Sequence, residues 1–99
     1  MTRPPHGVSP EQWKRFTPFQ RAVYRAISKI PSGQTRSYGW VARRIGRPQA
    51  ARAVGQALHV NPCAPAIPCH RIIRADGTLG GYAGGLRKKQ ALLRREARA

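Results

Sequence analysis

The sequence predicts a mainly α-helical domain with a winged-helix-like helix-turn-helix and a small β-hairpin wing. Its length of 99 residues fits one domain, and its 40% hydrophobic content is enough for one modest core. Apolar residues recur at helical spacing along most of the chain. The runs that favour strands are short and flank the pair Asp76-Gly77, which is typical of a hairpin turn. Together these observations predict the fold class.

Residues 1–16 are predicted to form a loose N-terminal lead-in. Three of the chain's nine prolines lie there, and no helical period is sustained. Trp13 and Phe16 are the candidates for packing within this segment. The domain itself is predicted over residues 17–99.

The first predicted helix spans roughly Pro18 to Lys29. Thr17 is a favourable N-cap, and a proline is well tolerated in the first turn. Pro31 and Gly33 then favour a break. The apolar residues of this segment follow at helical spacing: Phe19, Val23, Ala26, Ile27 and Ile30.

Two short helices come next, joined by the turn Gly46-Arg47. Ser37 is a candidate N-cap for a helix that continues to Ile45, and Gly46 would end it in the left-handed conformation. Pro48 is predicted to open the following helix. Two helices in this arrangement favour a helix-turn-helix, whose second helix commonly enters a DNA groove. An ordinary helical hairpin with solvated arginines is the alternative.

Prolines and an asparagine exclude a regular helix over Asn61–Pro68, so Cys69 is predicted to follow a rigid extended loop. Arg71–Arg74 and Thr78–Leu79 are short β-prone runs on either side of the hairpin turn, and they predict the wing. Leu86–Ala97 is predicted to be a closing basic amphipathic helix. Three of its leucines are expected to face inward: Leu86, Leu92 and Leu93.

The charge of the chain points to a polyanionic partner. Lys and Arg number 19 against three acids, which gives a formal net charge of +16. Nucleic acid is the first expectation for such a surface, and a membrane surface is the alternative. The sequence has no long apolar stretch and no signal peptide, so a soluble, cytoplasmic protein without membrane attachment is expected.

The two cysteines are expected to be free thiols. Cys63 and Cys69 lie six residues apart, which matches neither a CxxC redox pair nor a zinc cluster, so no metal site is predicted. A disulfide between them would be unexpected in a reducing compartment. Cys63 has no adjacent histidine and is interpreted as structural.

Cys69 and His70 place a thiol beside an imidazole in a strongly basic chain. A cysteine is a good nucleophile only as thiolate, and an adjacent histidine and a basic surround favour that form. The alternative is a small packed hydrophobe beside a polar residue. In this setting the pair predicts a cysteine that attacks something on nucleic acid.

Five motifs stand in order along the chain: Ser37-Tyr38, Arg52-Ala53-Val54-Gly55, Asn61-Pro62, Pro68-Cys69-His70-Arg71 and Tyr82-Ala83-Gly84-Gly85-Leu86. In order and approximate spacing, the segment from Phe19 to Glu96 resembles the DNA-binding and active-site domain of the O6-alkylguanine-DNA alkyltransferases. This family is also called the methylated-DNA–protein-cysteine methyltransferases.

The resemblance implies a DNA repair protein that flips O6-alkylguanine out of double-stranded DNA and transfers the alkyl group irreversibly to Cys69. Such a methyltransferase acts once per molecule and uses no cofactor. In the family a water and the adjacent histidine activate the cysteine, and a glutamate orients the histidine, which implies these roles for His70 and Glu96. Asn61 is implied to brace the turn that bears the cysteine. Without the family, Glu96 is equally well a partner for a neighbouring cation.

The resemblance also implies which residues contact DNA. Arg52 would fill the gap left by the flipped base, and Tyr38 would press on the phosphate and donate to the base. Ser37 and Ala51 are expected to contact DNA beside them. Taken alone, Arg52 is a simple phosphate contact and Tyr38 a residue at the edge of the core.

The base pocket is implied to include Pro68, Ile72, Tyr82 and Ala83. Tyr82 would form a flat wall, and backbone groups near Cys69 and Ile72 would recognise the guanine edge. Many relatives have Ser where this chain has Ala83, which removes a hydroxyl donor worth roughly 1 kcal/mol.

Two rival functions remain at this stage. Members of the family usually carry a separate N-terminal domain, for which this chain has no room. Alkyltransferase-like proteins are similarly short and hand the lesion to nucleotide excision repair without transfer, but they typically replace the cysteine that is intact here as Cys69. A winged-helix transcription factor would leave Cys69, His70 and Glu96 unexplained. A monomer is expected, with excision-repair proteins as further candidate partners.

Overall fold

The computed structural model describes residues 4–63, 66–82 and 85–98, and it confirms the mainly helical fold class. Within these residues the helices are α1 (Pro10–Arg15), α2 (Pro18–Ser28), α3 (Tyr38–Arg44), α4 (Ala51–His59) and α5 (Leu86–Arg98). Two short strands, β1 (Arg36–Ser37) and β2 (Ile72–Ile73), and a 3₁₀ turn at Cys69–Arg71 accompany them.

Helix α2 begins and ends as its local signals predict. The Thr17 hydroxyl accepts a hydrogen bond from the N–H of Gln20 at 3.1 Å, and the Gln20 side chain accepts one from the N–H of Thr17 at 2.9 Å. This reciprocal cap satisfies two backbone donors that a helix start leaves open. Pro18 occupies the first turn, and the predicted end at Lys29 is confirmed to within one residue.

Helices α3 and α4 form the predicted helix-turn-helix, but α4 begins later than expected. Ser37 caps α3 through its hydroxyl, and Gly46 follows the helix with a φ of 79°. The prediction that Pro48 opens α4 is wrong. Its segment forms a separate turn, in which the N–H of Ala50 donates to the carbonyl of Arg47 at 2.9 Å. Because this turn takes up the intervening residues, α4 starts at residue 51.

The predicted β-hairpin wing is wrong in its strand pairing. Strand β2 pairs in parallel with β1, which precedes the helix-turn-helix. The chain does turn at Asp76-Gly77, where the N–H of Arg74 donates to the carbonyl of Thr78 at 2.9 Å. The residues after this turn form no strand, because the carbonyl of Leu79 accepts from the side chain of Lys89 rather than from a strand partner.

Residues 4–16 contain helix α1 and contribute to the core, so the prediction of a loose lead-in is wrong for this described part of the segment. Ser9 caps α1 by accepting a hydrogen bond from a backbone N–H, at 3.1 Å. Trp13 is 7% exposed, and its ring meets that of Phe16 edge-on at 5.9 Å between centroids. Val8 joins the same core. Tertiary packing therefore stabilises a helix that is too short to be predicted from its own sequence.

Helix α5 lies where it was predicted, but its inward face is different. Leu86 is 53% exposed, and Leu92 and Leu93 are only half-buried. The fully buried side chain of this helix is Lys89. Residues three or four positions apart share a helix face, so Lys89, Leu93 and Glu96 all point toward the body of the domain.

The core lies between α2, α3 and α4, with the 3₁₀ turn and β2 packed against it. Its fully buried hydrophobic side chains are Val23, Tyr24, Ile27, Val41, Ala42, Val54, Ile67 and Ile72. The Tyr24 hydroxyl donates to the carbonyl of Ala57 at 2.6 Å, which ties α2 to α4. In the part of the chain that the structure describes, no helix has the length and apolar composition needed to cross a membrane.

Candidate active site and nucleic-acid interface

Cys69 begins the 3₁₀ turn, and the loop before it holds its backbone. Its N–H donates to the carbonyl of Ile67 at 2.8 Å. The same carbonyl accepts from the side-chain amide of Asn61 at 2.9 Å, while the amide oxygen of Asn61 accepts from the N–H of Cys63 at 2.9 Å. Asn61 is 6% exposed, so one buried amide spans both ends of the loop. Residues 64 and 65 of this loop lie outside the described residues.

The imidazole of His70 is buried against a carboxylate. Its Nε2 lies 2.9 Å from Oε2 of Glu96. Arg71 approaches the same carboxylate with Nε at 3.0 Å from Oε1 and Nη2 at 2.6 Å from Oε2. Its Nη1 donates to the carbonyl of Ile30, just after α2, at 2.8 Å. One acid thus joins the 3₁₀ turn to α5, and Arg71 extends the connection to α2.

Glu96 is held as a carboxylate. The hydrogen bonds from Arg71 are the largest cause, and those from His70 add to them, so the pKa of Glu96 falls to about 2 although partial burial opposes the shift. If Nε2 of His70 donates to this carboxylate, Nδ1 is the acceptor of the neutral ring. Nδ1 is buried and has no hydrogen-bond partner among the described residues.

The Cys69 thiol is more protected than the sequence predicted. Burial raises its pKa above the ordinary value, because the residue is only 4% exposed. The hydrogen bond from Asn61, the positive charge of Lys89 and the backbone N–H of Cys69 act in the opposite direction without reversing it. The positive charge of Lys89 favours the thiolate, as expected of a basic surround, but burial outweighs it in the resting protein. A thiol in this setting needs a base to take its proton.

A cavity of about 260 Å³ opens beside Cys69. This volume is close to the lower end of the range of roughly 300–1,000 Å³ for small-molecule sites. The cavity brings together three of the predicted site residues, Tyr38, Cys69 and Tyr82. Its other lining residues are Gly55, Leu58, His59, Arg74 and Gly81.

Tyr38 lies against two glycines, Gly55 of the cavity wall and Gly80 next to that wall. A Cβ at Gly80 would lie 2.9 Å from the Tyr38 hydroxyl, and one at Gly55 would lie 3.8 Å from the ring. Gly80 also has a φ of 69°, which disfavours other residues. Burial raises the pKa of Tyr38, while the charge of Arg74 lowers it. The absence of side chains at both positions lets the ring sit close to the backbone.

The residues predicted to contact DNA lie at the starts of the two helices of the helix-turn-helix. Ala51 is the first residue of α4 and half-buried, and Arg52 follows it, exposed and without a hydrogen-bond or ion-pair partner among the described residues. The hydroxyl oxygen of Ser37 accepts from the N–H of Trp40 at 3.0 Å. Arg52 is therefore the side chain of this group that is free to reach a phosphate or a base gap.

Two other predicted pocket residues, Pro68 and Ile72, are not among the described residues that line the cavity. Pro68 and Ile72 are buried, and the Ile72 carbonyl accepts a hydrogen bond from Lys89. Ala83, together with Gly84, lies outside the described residues. Of the predicted substrate pocket, the structure therefore describes Tyr82 at the cavity wall.

Sequence reasoning missed three basic residues at this site. His59 and Arg74 line the cavity, and Lys89 is buried behind the cavity wall. In the sequence they cannot be told from the many solvated cations of the chain. The signal for Lys89 is its spacing of seven from Glu96, which puts both on one helix face.

Both cysteines are free thiols, as expected. Cys63 is partly exposed and packs against the core, and burial raises its pKa. Within residues 4–63, 66–82 and 85–98, no three His, Cys, Asp or Glu side chains lie close enough to hold a metal ion.

Residues 18–98 match the family described as 6-O-methylguanine DNA methyltransferase, DNA binding domain. Similar curated proteins include the methylated-DNA–protein-cysteine methyltransferases of Mycolicibacterium paratuberculosis, 57% identical over 84 residues, and Salmonella typhimurium, 55% identical over 80 residues. These alignments cover 85% and 81% of this chain, but 51% and 47% of the relatives. The chain thus spans about half the length of the curated relatives it matches.

Solved structures share the fold. Mycobacterium tuberculosis OGT in complex with DNA is 55% identical with a TM-score of 0.81, and the match covers 83% of this chain and 50% of that one. S. pombe Atl1 in complex with damaged DNA containing O6-carboxymethylguanine is 35% identical with a TM-score of 0.74, covering 83% of this chain and 78% of that one. Since the family match extends over residues 18–98, the chain belongs to the 6-O-methylguanine DNA methyltransferase family through its DNA-binding domain.

Proposed function

We propose that this protein removes alkyl groups from O6 of guanine in duplex DNA and keeps them on Sγ of Cys69. The observation that carries the proposal is the position of Cys69 in the cavity wall, next in sequence to a histidine that is paired with Glu96 of α5. The names of relatives at 55% to 57% identity support this reaction class. Because this chain matches only about half of their length, an experiment must test whether the chain by itself transfers the alkyl group.

The proposed step is a displacement at a saturated carbon. Sγ of Cys69 attacks the alkyl carbon and forms an S–C bond. The bond between the alkyl carbon and O6 breaks, and its electron pair stays on O6 of the guanine. The thiol proton goes to a base, and the guanine takes up a proton to become an ordinary guanine. The resulting thioether has no easy leaving group, so each molecule reacts once. The balance of atoms needs no cofactor.

His70 is the proposed base. Its Nε2 faces Glu96, and Nδ1 is buried without a partner among the described residues. Buried polar atoms of this kind are commonly satisfied by an ordered water, and a water between Nδ1 and Cys69 would carry the thiol proton to the ring. Glu96, whose pKa is about 2, stays ionised and would stabilise the imidazolium that forms.

The lesion has to leave the base stack to reach this thiol. Cys69 is 4% exposed, and an atom inside a stacked duplex cannot approach it. We infer that the flipped base enters the cavity between Tyr38 and Tyr82, and that Arg52 at the start of α4 fills the gap. The net charge of +16 supplies the attraction to the phosphates. The solved complexes of similar proteins with DNA support a DNA partner for this chain.

A second candidate function is lesion binding without transfer, followed by excision repair. The observation in its favour is the match to S. pombe Atl1, of which this chain covers 78%. The presence of Cys69 and of its His70–Glu96 partners favours transfer over this alternative.

The test is to mix the purified protein with a duplex that carries O6-methylguanine and to measure its intact mass. We expect a gain of one methyl group, mapped to Cys69 by peptide analysis, in an amount that saturates at one per protein. Cys63→Ala is the matched control and should react like the parent protein. Cys69→Ala should gain no methyl group.

The outcomes separate the candidates. Tight lesion-specific binding by the parent protein without a mass change would support the second candidate and contradict transfer. A methyl group found on Cys63 would also contradict the assignment. Binding that ignores the lesion, without a mass change, would overturn both.

A further inference from the structure

We propose that Lys89 is a positioning residue: its ammonium group fixes the 79–81 segment of the cavity wall and places a positive charge near the Cys69 thiol. The inference rests on the proposed function for its link to alkyl transfer. The contacts of the side chain can be tested independently of that function.

All three hydrogen-bond donors of the Lys89 ammonium group have acceptors. The side chain is 0% exposed, although it belongs to the helix with the most basic sequence in the chain. Its Nζ donates to the carbonyls of Ile72 at 2.7 Å and Gly81 at 3.1 Å, and also to the carbonyl of Leu79. An ammonium group has three donors, and each has a backbone partner. Lys89 thus connects α5 to β2 and to the segment after the Asp76-Gly77 turn.

The connected segment forms part of the cavity. Gly81 and Tyr82 line it together with Cys69. Gly80 lies so close to Tyr38 that a Cβ there would be 2.9 Å from the hydroxyl. Among the described residues, the carbonyls of Leu79 and Gly81 have no hydrogen-bond donor other than Lys89. A change at Lys89 should therefore shift this wall.

The charge of Lys89 acts on the thiol as well. The Lys89 ammonium and a Cys69 thiolate favour each other's charged form. The positive charge of Arg74 acts in the other direction on Lys89 and lowers its pKa. Burial lowers the pKa of Lys89 to about 8, so the group is still mainly protonated at neutral pH. A positive charge in a region of low dielectric acts more strongly on the Cys69 thiol than the many exposed cations of the chain do.

The test compares Lys89→Met with Lys88→Met. Methionine keeps a similar length but has neither charge nor donor, and Lys88 is the exposed neighbour on the same helix. Three quantities are measured: the rate of methyl transfer from an O6-methylguanine duplex, the pH profile of Cys69 alkylation by iodoacetamide in the Cys63→Ala background, and amide hydrogen exchange over residues 79–82.

For Lys89→Met we expect transfer to slow by about tenfold to a hundredfold, as misplacement of a catalytic geometry typically does. The alkylation profile should move to higher pH, and exchange over residues 79–82 should become faster. Lys88→Met should behave like the parent protein in all three measurements. A purely structural role would lower stability without moving the thiol profile, so an unchanged profile in folded Lys89→Met would overturn the proposal.

One further measurement keeps the inference testable. If Lys89→Met does not fold, NMR of the parent protein should still detect slowly exchanging Nζ protons, and rapid exchange would contradict the proposal. If the parent protein transfers no methyl group, the proposed function fails. The thiol profile and the exchange data would then still decide whether Lys89 positions the wall.

Discussion

Glu96 is the residue on which the candidate site depends most. It is one of only three acids in a chain of 99 residues. It accepts hydrogen bonds from Arg71 and lies 2.9 Å from His70, so it neutralises and orients two neighbouring groups of the 3₁₀ turn at once. Loss of this carboxylate would leave Arg71 without its ion pair and His70 without the group that sets its orientation.

Replacement of Glu96 by Gln should therefore lower both activity and stability. We expect a loss of about 2–3 kcal/mol in the free energy of unfolding at neutral pH, the size typical of hydrogen bonds between charged groups. Methyl transfer should slow strongly, because the histidine is no longer held. Urea denaturation and single-turnover kinetics measure the two effects. Glu11→Gln, at an exposed acid, is the control and should change neither.

The same substitution should change the response to acid. The folded-state pKa of Glu96 is about 2, below its ordinary value of 4.5, so its contribution to stability is present above pH 4.5 and lost as the pH falls toward 2. The parent protein should lose stability over this range more steeply than Glu96→Gln. Asp76 also has a lowered pKa but is present in both proteins, so the difference isolates Glu96. If the two proteins lost stability equally steeply between pH 4.5 and 2, this assignment would be contradicted.

At the scale of elements, the short helix α1 completes the core. Trp13 packs edge-on against Phe16, whose ring in turn lies 4.9 Å from that of Tyr24 in α2. The guanidinium of Arg25 lies 5.0 Å from the centroid of the Trp13 ring. A Cβ at Gly7 would come within 2.9 Å of the Ala66 side chain, so this segment also packs against the loop that leads to Cys69.

Trp13→Ala should accordingly destabilise the domain by about 3 kcal/mol, at the lower end of the range for buried aromatic residues. For a domain of this size, that corresponds to a fall in Tm of more than about 10 °C. Thermal unfolding measures it, with the adjacent exposed Lys14→Ala as the control. An effect as small as that of Lys14→Ala would mean that α1 does not stabilise the core.

At the scale of the whole molecule, the proposed function assigns to the positive charge the attraction to the phosphates of DNA. The net charge is +16, and lysine or arginine occurs in each of the five helices described, so phosphate contacts need not depend on a single residue. In the same proposal, the buried polar groups around Cys69 serve alkyl transfer and make no contact with phosphates. Binding and transfer should therefore be separable by mutation.

This separation predicts the salt dependence of the variants. Cys69→Ala should abolish transfer while binding to duplex DNA keeps its affinity and its dependence on salt, because no phosphate contact is lost. Arg52→Ala should weaken binding and reduce the slope of log K against log salt by about one, as expected for one phosphate contact. Fluorescence anisotropy over a range of salt concentrations measures both. Unchanged affinity together with an unchanged slope for Arg52→Ala would exclude it from the interface.

Much of the helical fold was predictable because its signals are local. Thr17 and Ser37 cap the helices that they were expected to cap, and Gly46 follows α3 in the left-handed conformation. The wing was not predictable in the same way. A short β-prone run after Asp76-Gly77 looks like a hairpin partner, but β2 pairs with β1, which lies far away along the chain.

For the candidate site, the sequence by itself determined the place of the candidate nucleophile beside a histidine, the basic character of the chain and the order of the family motifs. Each of these depends on residue type and short spacing. The tertiary structure alone decided that Cys69 is shielded, that Glu96 meets both His70 and Arg71, and that Lys89 is buried. The physical reason is that burial and charge pairing arise between segments far apart in sequence. The same lysine is a solvated cation or a fixed buried charge depending on which backbone carbonyls the fold brings to it.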